Sequence, residues 1–131
     1  MVCDVDKKID IQQIKVNNTL KAISEIANKW RMKFDIPVIG ITGSNGKTST
    51  KELLSHILSS KFKVHATEGN FNTKIGLPLT LLGMKKNHDI SILEMGASVP
   101  GEIETLCLLA KPTHGIITVS YTHLTLPTIC S

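Results

Sequence analysis

Ile36-Pro-Val-Ile-Gly-Ile-Thr-Gly-Ser-Asn-Gly-Lys-Thr-Ser-Thr50 is the stretch whose reading decides the fold. The apolar run from Val38 to Ile41 reads as a short buried strand. It stops at Thr42-Gly-Ser-Asn-Gly-Lys-Thr48, and a helical pattern follows. Strand, glycine-rich turn and helix in that order are the setting in which such a turn holds phosphate. Glycines let backbone N–H groups close around phosphate oxygens. Lys47 supplies a point charge for the β- and γ-phosphates, and the Thr48 hydroxyl is a ligand for Mg²⁺. The common eight-residue form of the motif needs glycine at position 41, where this chain has Ile41. What stands here is the shorter Gly-x-x-Gly-Lys-Thr, beginning at Gly43.

Working outward, the 131 residues suffice for one modest domain with a single core. A hydrophobic content of 41% and a charged content of 20% are those of an ordinary globular protein. The net charge of +4 suits an anionic nucleotide, but the lysines are scattered and aromatics make up only 4%, so a base-stacking nucleic-acid surface is not expected. No apolar run reaches membrane-spanning length, and Met1-Val-Cys-Asp-Val-Asp-Lys7 is not a signal peptide. Cys3, Cys107 and Cys130 are odd in number and lack metal-ligand spacing. Together these features predict a cytoplasmic protein without membrane insertion.

Residues 1–17 are too short and mixed for a domain and read as a remnant or linker. Asn18 or Thr19 caps a helix expected to run to about Lys33, with Leu20, Ile23, Ile26, Ala27 and Trp30 on one apolar face. It reads as a packing helix. Past the phosphate loop, Leu53, Leu54, Ile57 and Leu58 continue a helix from Lys47 to about Ser60, and Lys63–Ala66 is a second strand, whose His65 reads as structural.

The polar segment Thr67-Glu-Gly-Asn-Phe-Asn-Thr-Lys-Ile-Gly76 has two readings. It is a connector whose Asn and Gly serve turn geometry. Equally, it is a substrate or nucleotide loop, because the amides of Asn70 and Asn72 both donate and accept hydrogen bonds. Leu77-Pro-Leu-Thr-Leu-Leu82 opens a short helix. Asp89–Glu94 is a third strand ending in a carboxylate, placed to hold the metal directly or through water. Ser98 is expected to cap a helix from about Pro100 to Ala110, and Gly115–Thr118 is a fourth strand. Strands and helices alternate over 38–118, which predicts an α/β fold: a phosphate-loop parallel sheet with flanking helices, ligands gathering at the carboxyl ends of the strands.

Three stretches together resemble the central domain of the Mur ligases. They are Thr42–Thr48, Gly69-Asn-Phe-Asn-Thr-Lys-Ile-Gly-Leu-Pro-Leu-Thr80, and Glu94-Met-Gly-Ala-Ser98 followed by Gly101-Glu-Ile103. The short phosphate loop marks a wider superfamily that includes folylpolyglutamate synthase. The third stretch points within it to the branch joining D-alanyl-D-alanine to UDP-N-acetylmuramoyl-tripeptide in peptidoglycan synthesis. The resemblance covers about residues 15–118 and departs at Thr73, where the family usually has asparagine. It implies an ATP-dependent amide ligation through an acyl phosphate. By motif it implies that Gly43, Ser44, Asn45, Gly46, Lys47, Thr48 and Ser49 bind ATP, that Thr48 and Glu94 hold Mg²⁺, that Lys47 and Glu94 are catalytic, and that Asn70 and Asn72 hold the reacting ends.

After Thr118 the pattern breaks. The family continues with asparagine, glycine, a second-metal histidine and, later, a modified lysine and a further domain. The ten residues Val119-Ser-Tyr-Thr-His-Leu-Thr-Leu-Pro-Thr128 instead equal the translation of a transposase adapter used in sequencing libraries. His123 therefore receives no role. Residues 119–131 are expected to be a non-native tail, 18–118 a partial central domain, and the chain by itself inactive. A stand-alone nucleotide-binding module, or a folate-type ligase, is the alternative.

Overall fold

A computed structural model of the chain describes residues 2–3 and 11–120. His123 and most of the expected tail lie outside the described residues, as do residues 4–10. The elements in order are β1 (Val2–Cys3), β2 (Ile14–Lys15), α1 (Thr19–Arg31), β3 (Val38–Thr42), α2 (Lys47–Ser59), β4 (Val64–Ala66), α3 (Gly76–Leu82), β5 (Ile90–Glu94), α4 (Glu102–Ala110) and β6 (His114–Ile117). β1 and β2 form a two-stranded parallel pair, and the rest build a four-stranded parallel sheet in the order β4-β5-β3-β6. The α/β fold expected from the alternation is the one observed.

Register decides what each face of the sheet carries. Val38 lies opposite Ser91, Gly40 opposite Leu93, and His65 opposite Ser91. Because side chains alternate along a strand, these residues share one face. There Val38, Leu93 and Met95 meet Ala27 and Phe34, Leu77 and Leu81 of α3, and Ile103 and Leu106 of α4 in one buried cluster. The opposite face receives Ile41, Ile92 and Glu94 and is covered by α2. Near-continuous apolar strands such as Val38–Ile41 are what a sheet covered on both sides requires.

Asn18 caps α1 as expected, its side chain accepting from the Lys21 N–H at 2.9 Å. The start of α4 differs from expectation. Ser98 does not cap it. Instead the Glu102 carboxylate reaches back to the N–H groups of Ser98 (2.7 Å) and Val99 (3.2 Å). Gly101 sits at φ +85°, so the helix starts at Glu102 and not at Pro100. These amide bonds, chiefly that from Ser98, hold the Glu102 carboxyl below the usual carboxylate range, with Lys74 contributing through a 3.2 Å ion pair.

α1 does more than pack. Arg31 is buried, and its guanidinium donates to the carbonyls of Ala110 (2.8 Å), Phe34 (2.8 Å) and Lys111 (3.0 Å). Asn28 donates to the Leu109 carbonyl at 2.7 Å. Two side chains of α1 thus satisfy the terminal carbonyls of α4, whose chain turns through Lys111 at φ +43°. Burial lowers the Arg31 pKa, opposed by the charge of Asp35. Arg31→Ala leaves buried carbonyls without a donor and is expected to cost roughly 2–4 kcal/mol in urea unfolding.

His65 is buried between the Ser91 hydroxyl (2.8 Å) and the Thr80 carbonyl (3.0 Å). Burial, with help from neighbouring His88 and against the bond to Thr80, pushes it down from 6.5 to about 4. The unfolded chain therefore binds the proton more tightly than the folded one. The contribution of His65 to stability is expected to be fully present above about pH 6.5 and to fall toward pH 4 by up to roughly 1.4 kcal/mol per pH unit. Unfolding free energies across that range check this, and the slope should flatten in His65→Gln.

Candidate functional site

β3 ends at Thr42 and α2 begins at Lys47, so four residues make the turn. Two glycines set its path, Gly43 at φ +141° and Gly46 at φ +82°. At Gly43 a side chain would also collide with the Thr118 hydroxyl and the Val119 carbonyl. That carbonyl accepts from the N–H groups of Ser44 (2.6 Å) and Asn45 (3.3 Å). A backbone carbonyl makes the contact, which any residue at position 119 would supply. The first bond of the α2 entry runs from the Thr50 N–H to the Gly46 carbonyl. The N–H groups of Lys47, Thr48 and Ser49 thus precede the helical ladder and form the positive end of the helix dipole. The Lys47 ammonium lies over the same turn, donating to the Gly43 carbonyl at 2.7 Å.

Alternation along β5 turns Glu94 to the α2 face, and there it meets the helix start. The Thr48 hydroxyl lies 3.2 and 3.1 Å from the two carboxylate oxygens of Glu94. Asn72 donates its amide N–H to Glu94 Oε1 at 2.8 Å. The Asn72 carbonyl also accepts from the Gly96 N–H at 2.7 Å. The Gly96 backbone packs against the Asn72 amide: a Cβ there would lie 3.2 Å from Asn72 Cγ. Asn72 is therefore seated on Glu94 and clamped by Gly96, whereas Asn70 stays exposed in the preceding turn.

Glu94 is 3% exposed, and among the described residues no cationic side chain forms an ion pair with it. A buried carboxylate held only by uncharged donors favours a cation beside it. With the Thr48 hydroxyl it offers hard oxygen ligands of the kind Mg²⁺ takes. Among the described residues no group of three or more His, Cys, Asp or Glu could enclose a metal. Glu94 and Thr48 could hold a divalent cation such as Mg²⁺ only if other oxygen ligands completed its coordination.

A cavity of about 350 Å³ lies elsewhere, along β4, lined by His65, Glu68, Phe71, Thr80, Lys85 and His88 among others, and shares no residue with this cluster. Cys107 is partly buried, its pKa raised by that burial.

The sequence pattern singled out Gly43–Ser49, Glu94 and Asn72, and the fold gathers them at the carboxyl ends of β3 and β5. It missed Thr67, whose hydroxyl accepts from the Glu94 N–H, and Lys51, which donates to the Thr67 carbonyl; both are buried. Lys51 had one available signal: as the fourth residue after Lys47 it lies on the same helical face.

Comparison with known proteins accords with this geometry. Residues 41–125 match the Mur ligase middle domain. A UDP-N-acetylmuramoyl-tripeptide–D-alanyl-D-alanine ligase of Bacillus subtilis is 48% identical over 105 residues, covering 80% of this chain and 23% of the relative. The Escherichia coli ligase of the same name is 38% identical over 109 residues, covering 83% and 24%. Among solved structures, MurF of Acinetobacter baumannii superposes with a TM-score of 0.84 at 33% identity, over 88% of this chain and 26% of that one. MurF of Thermotoga maritima in complex with ADP gives 0.75 at 38% identity, over 85% and 26%. The chain spans about a quarter of the length of the relatives it matches.

Adding a methyl group at Gly96 is expected to push Asn72 off Glu94. Gly96→Ala should cost roughly 1–2 kcal/mol in urea unfolding, and distinctly less in an Asn72→Ala background, where the clash is gone.

Proposed function

The chain belongs to the Mur ligase family through its middle domain, and from that premise we propose that it is the phosphate-binding part of an ATP-dependent ligase of peptidoglycan synthesis. The reaction joins the carboxylate of UDP-N-acetylmuramoyl-tripeptide to the amine of D-alanyl-D-alanine in the cytoplasm. The observation that carries this reading is the Thr48–Glu94–Asn72 cluster at the mouth of the Gly43–Ser49 turn. Support comes from the names of the relatives and from the ADP bound to the Thermotoga maritima protein.

A carboxylate is a poor acyl donor. Transfer of the γ-phosphoryl group of ATP to it makes an acyl phosphate and releases ADP. The amine of D-alanyl-D-alanine then attacks the acyl carbon, phosphate leaves, and the nitrogen loses a proton. The difficulty for the protein is electrostatic, since two anions must approach. The N–H groups at the start of α2 and the Lys47 ammonium meet the phosphate charge. Glu94 and the Thr48 hydroxyl would hold Mg²⁺, which screens phosphate charge when bound. Asn72 fixes the orientation of the Glu94 carboxylate and reaches it from the loop that precedes α3. Asn70, exposed in the same loop, is left to contact substrate.

The full-length ligase provides the test. Lys47→Ala is expected to abolish MgATP binding in calorimetric titration, and unchanged affinity would sink the phosphate-loop assignment. Product analysis should show ADP, phosphate and the amide in equal amounts. Nucleotide binding without amide formation would favour a nucleotide-binding module instead.

A further inference from the structure

Lys51 is buried to 3% exposure on the sheet-facing side of α2, one turn beyond Lys47. An ammonium is costly there unless it is paired. Its two partners are unequal. The Glu52 carboxylate, 2.8 Å away, is 68% exposed, so solvent weakens that pair. The Thr67 carbonyl, 2.7 Å away, belongs to a residue only 2% exposed and is the buried compensation for the charge.

Thr67 is the first residue beyond β4, and every polar atom it has is engaged. Its N–H donates to the Ile92 carbonyl at 3.0 Å. Its hydroxyl oxygen accepts from the Glu94 N–H at 3.0 Å. Its carbonyl takes Lys51. The hydroxyl therefore extends the β4–β5 ladder past Ala66, where the strand pairing ends. The loop that leaves Thr67 returns five residues later to place Asn72 on the Glu94 carboxylate.

We propose that Lys51 is a positioning residue for Glu94: by holding the Thr67 carbonyl it fixes the hydroxyl that anchors the Glu94 backbone and the origin of the loop that delivers Asn72. The inference rests on the reading that Glu94 serves MgATP. Glu94 is reached from three sides: Thr48 and Asn72 hold its carboxylate directly, and Lys51 acts on its backbone through Thr67. Lys51 touches neither the carboxylate nor the phosphate loop in this network. Its ammonium matters as a donor reaching from helix to strand end, which an apolar residue of the same length cannot be.

Amide hydrogen exchange on the full-length ligase, without nucleotide or metal, tests the relay. Lys51→Met is expected to speed exchange at the Glu94 amide about tenfold while amides of β3 stay within about threefold. Lys51→Arg, which keeps a donor, should restore most of the protection. Thr67→Val removes the hydroxyl but leaves the Lys51 bond intact. It should speed Glu94 exchange to a similar degree, and the double variant should add nothing beyond Thr67→Val. Additive effects, or a rise shared equally by β3 and β5, would mark Lys51 as a general staple of the fold and overturn the proposal. Unchanged Glu94 exchange in Thr67→Val overturns it too, even if Lys51→Met does not fold. In the full-length ligase, Lys51→Met should raise the Mg²⁺ concentration needed for ATP binding at least about fivefold. An unaltered Mg²⁺ requirement would also overturn the proposal. If the wild-type ligase binds no MgATP at all, the nucleotide reading fails, while the exchange pattern still decides whether Lys51 positions Glu94.

Discussion

A carboxylate buried at the end of a central strand constrains everything around it. Glu94 has lost most of its water, and only neutral donors replace it among the described side chains. Thr48 comes from the first turn of α2 and Asn72 from the loop before α3, while the Glu94 N–H donates to the Thr67 hydroxyl at the end of β4. Each belongs to a different element, so the sheet register must be right before any of them can reach. The β3–β5 pairing sets Ile41 beside Glu94, which brings the strand leading into the glycine-rich turn against the strand carrying the acid. A register slip of one residue would turn Glu94 into the apolar cluster of the opposite face.

The helices on that opposite face make the register costly to change. Leu93 and Met95 are packed among Leu77, Leu81, Ile103 and Leu106, and Arg31 ties α1 to the end of α4. Gly40 lets this layer approach closely, since a side chain there would crowd the Met95 sulfur and methyl. The core face and the chemical face are therefore two sides of the same five-residue strands, β3 and β5. Packing on one side holds polar geometry on the other.

Much of this was legible in the residues. Val38–Ile41, the two glycines and Lys47-Thr48 predict a strand, a turn and a helix start, and the structure has them within a residue or two. The helix expected to reach Lys33 stops at Arg31, whose side chain turns instead to the carbonyls of another helix. Ser98 looked like a cap because its hydroxyl is a good acceptor. Instead the Glu102 carboxylate accepts from two amides of the turn before the helix, and α4 has no side-chain cap. Asn70 and Asn72 were indistinguishable as sequence. The structure separates them: one meets Glu94 and the other faces solvent.

The sequence by itself determined the parallel α/β alternation, the glycine-rich turn and the acid at the strand end. Those signals are local: they lie in periodicity, in glycine and in residue types a few positions apart. Only the tertiary structure decided that Lys51 belongs to Thr67, that Arg31 belongs to Ala110 and Lys111, and that Asn72 rather than Asn70 orients Glu94. The first two rest on backbone carbonyls, which every residue possesses, so their partners leave no mark in the sequence. The third depends on how a loop returns to the sheet. That path is set by Thr67 at one end and the close Gly96 contact at the other, through packing between segments distant along the chain.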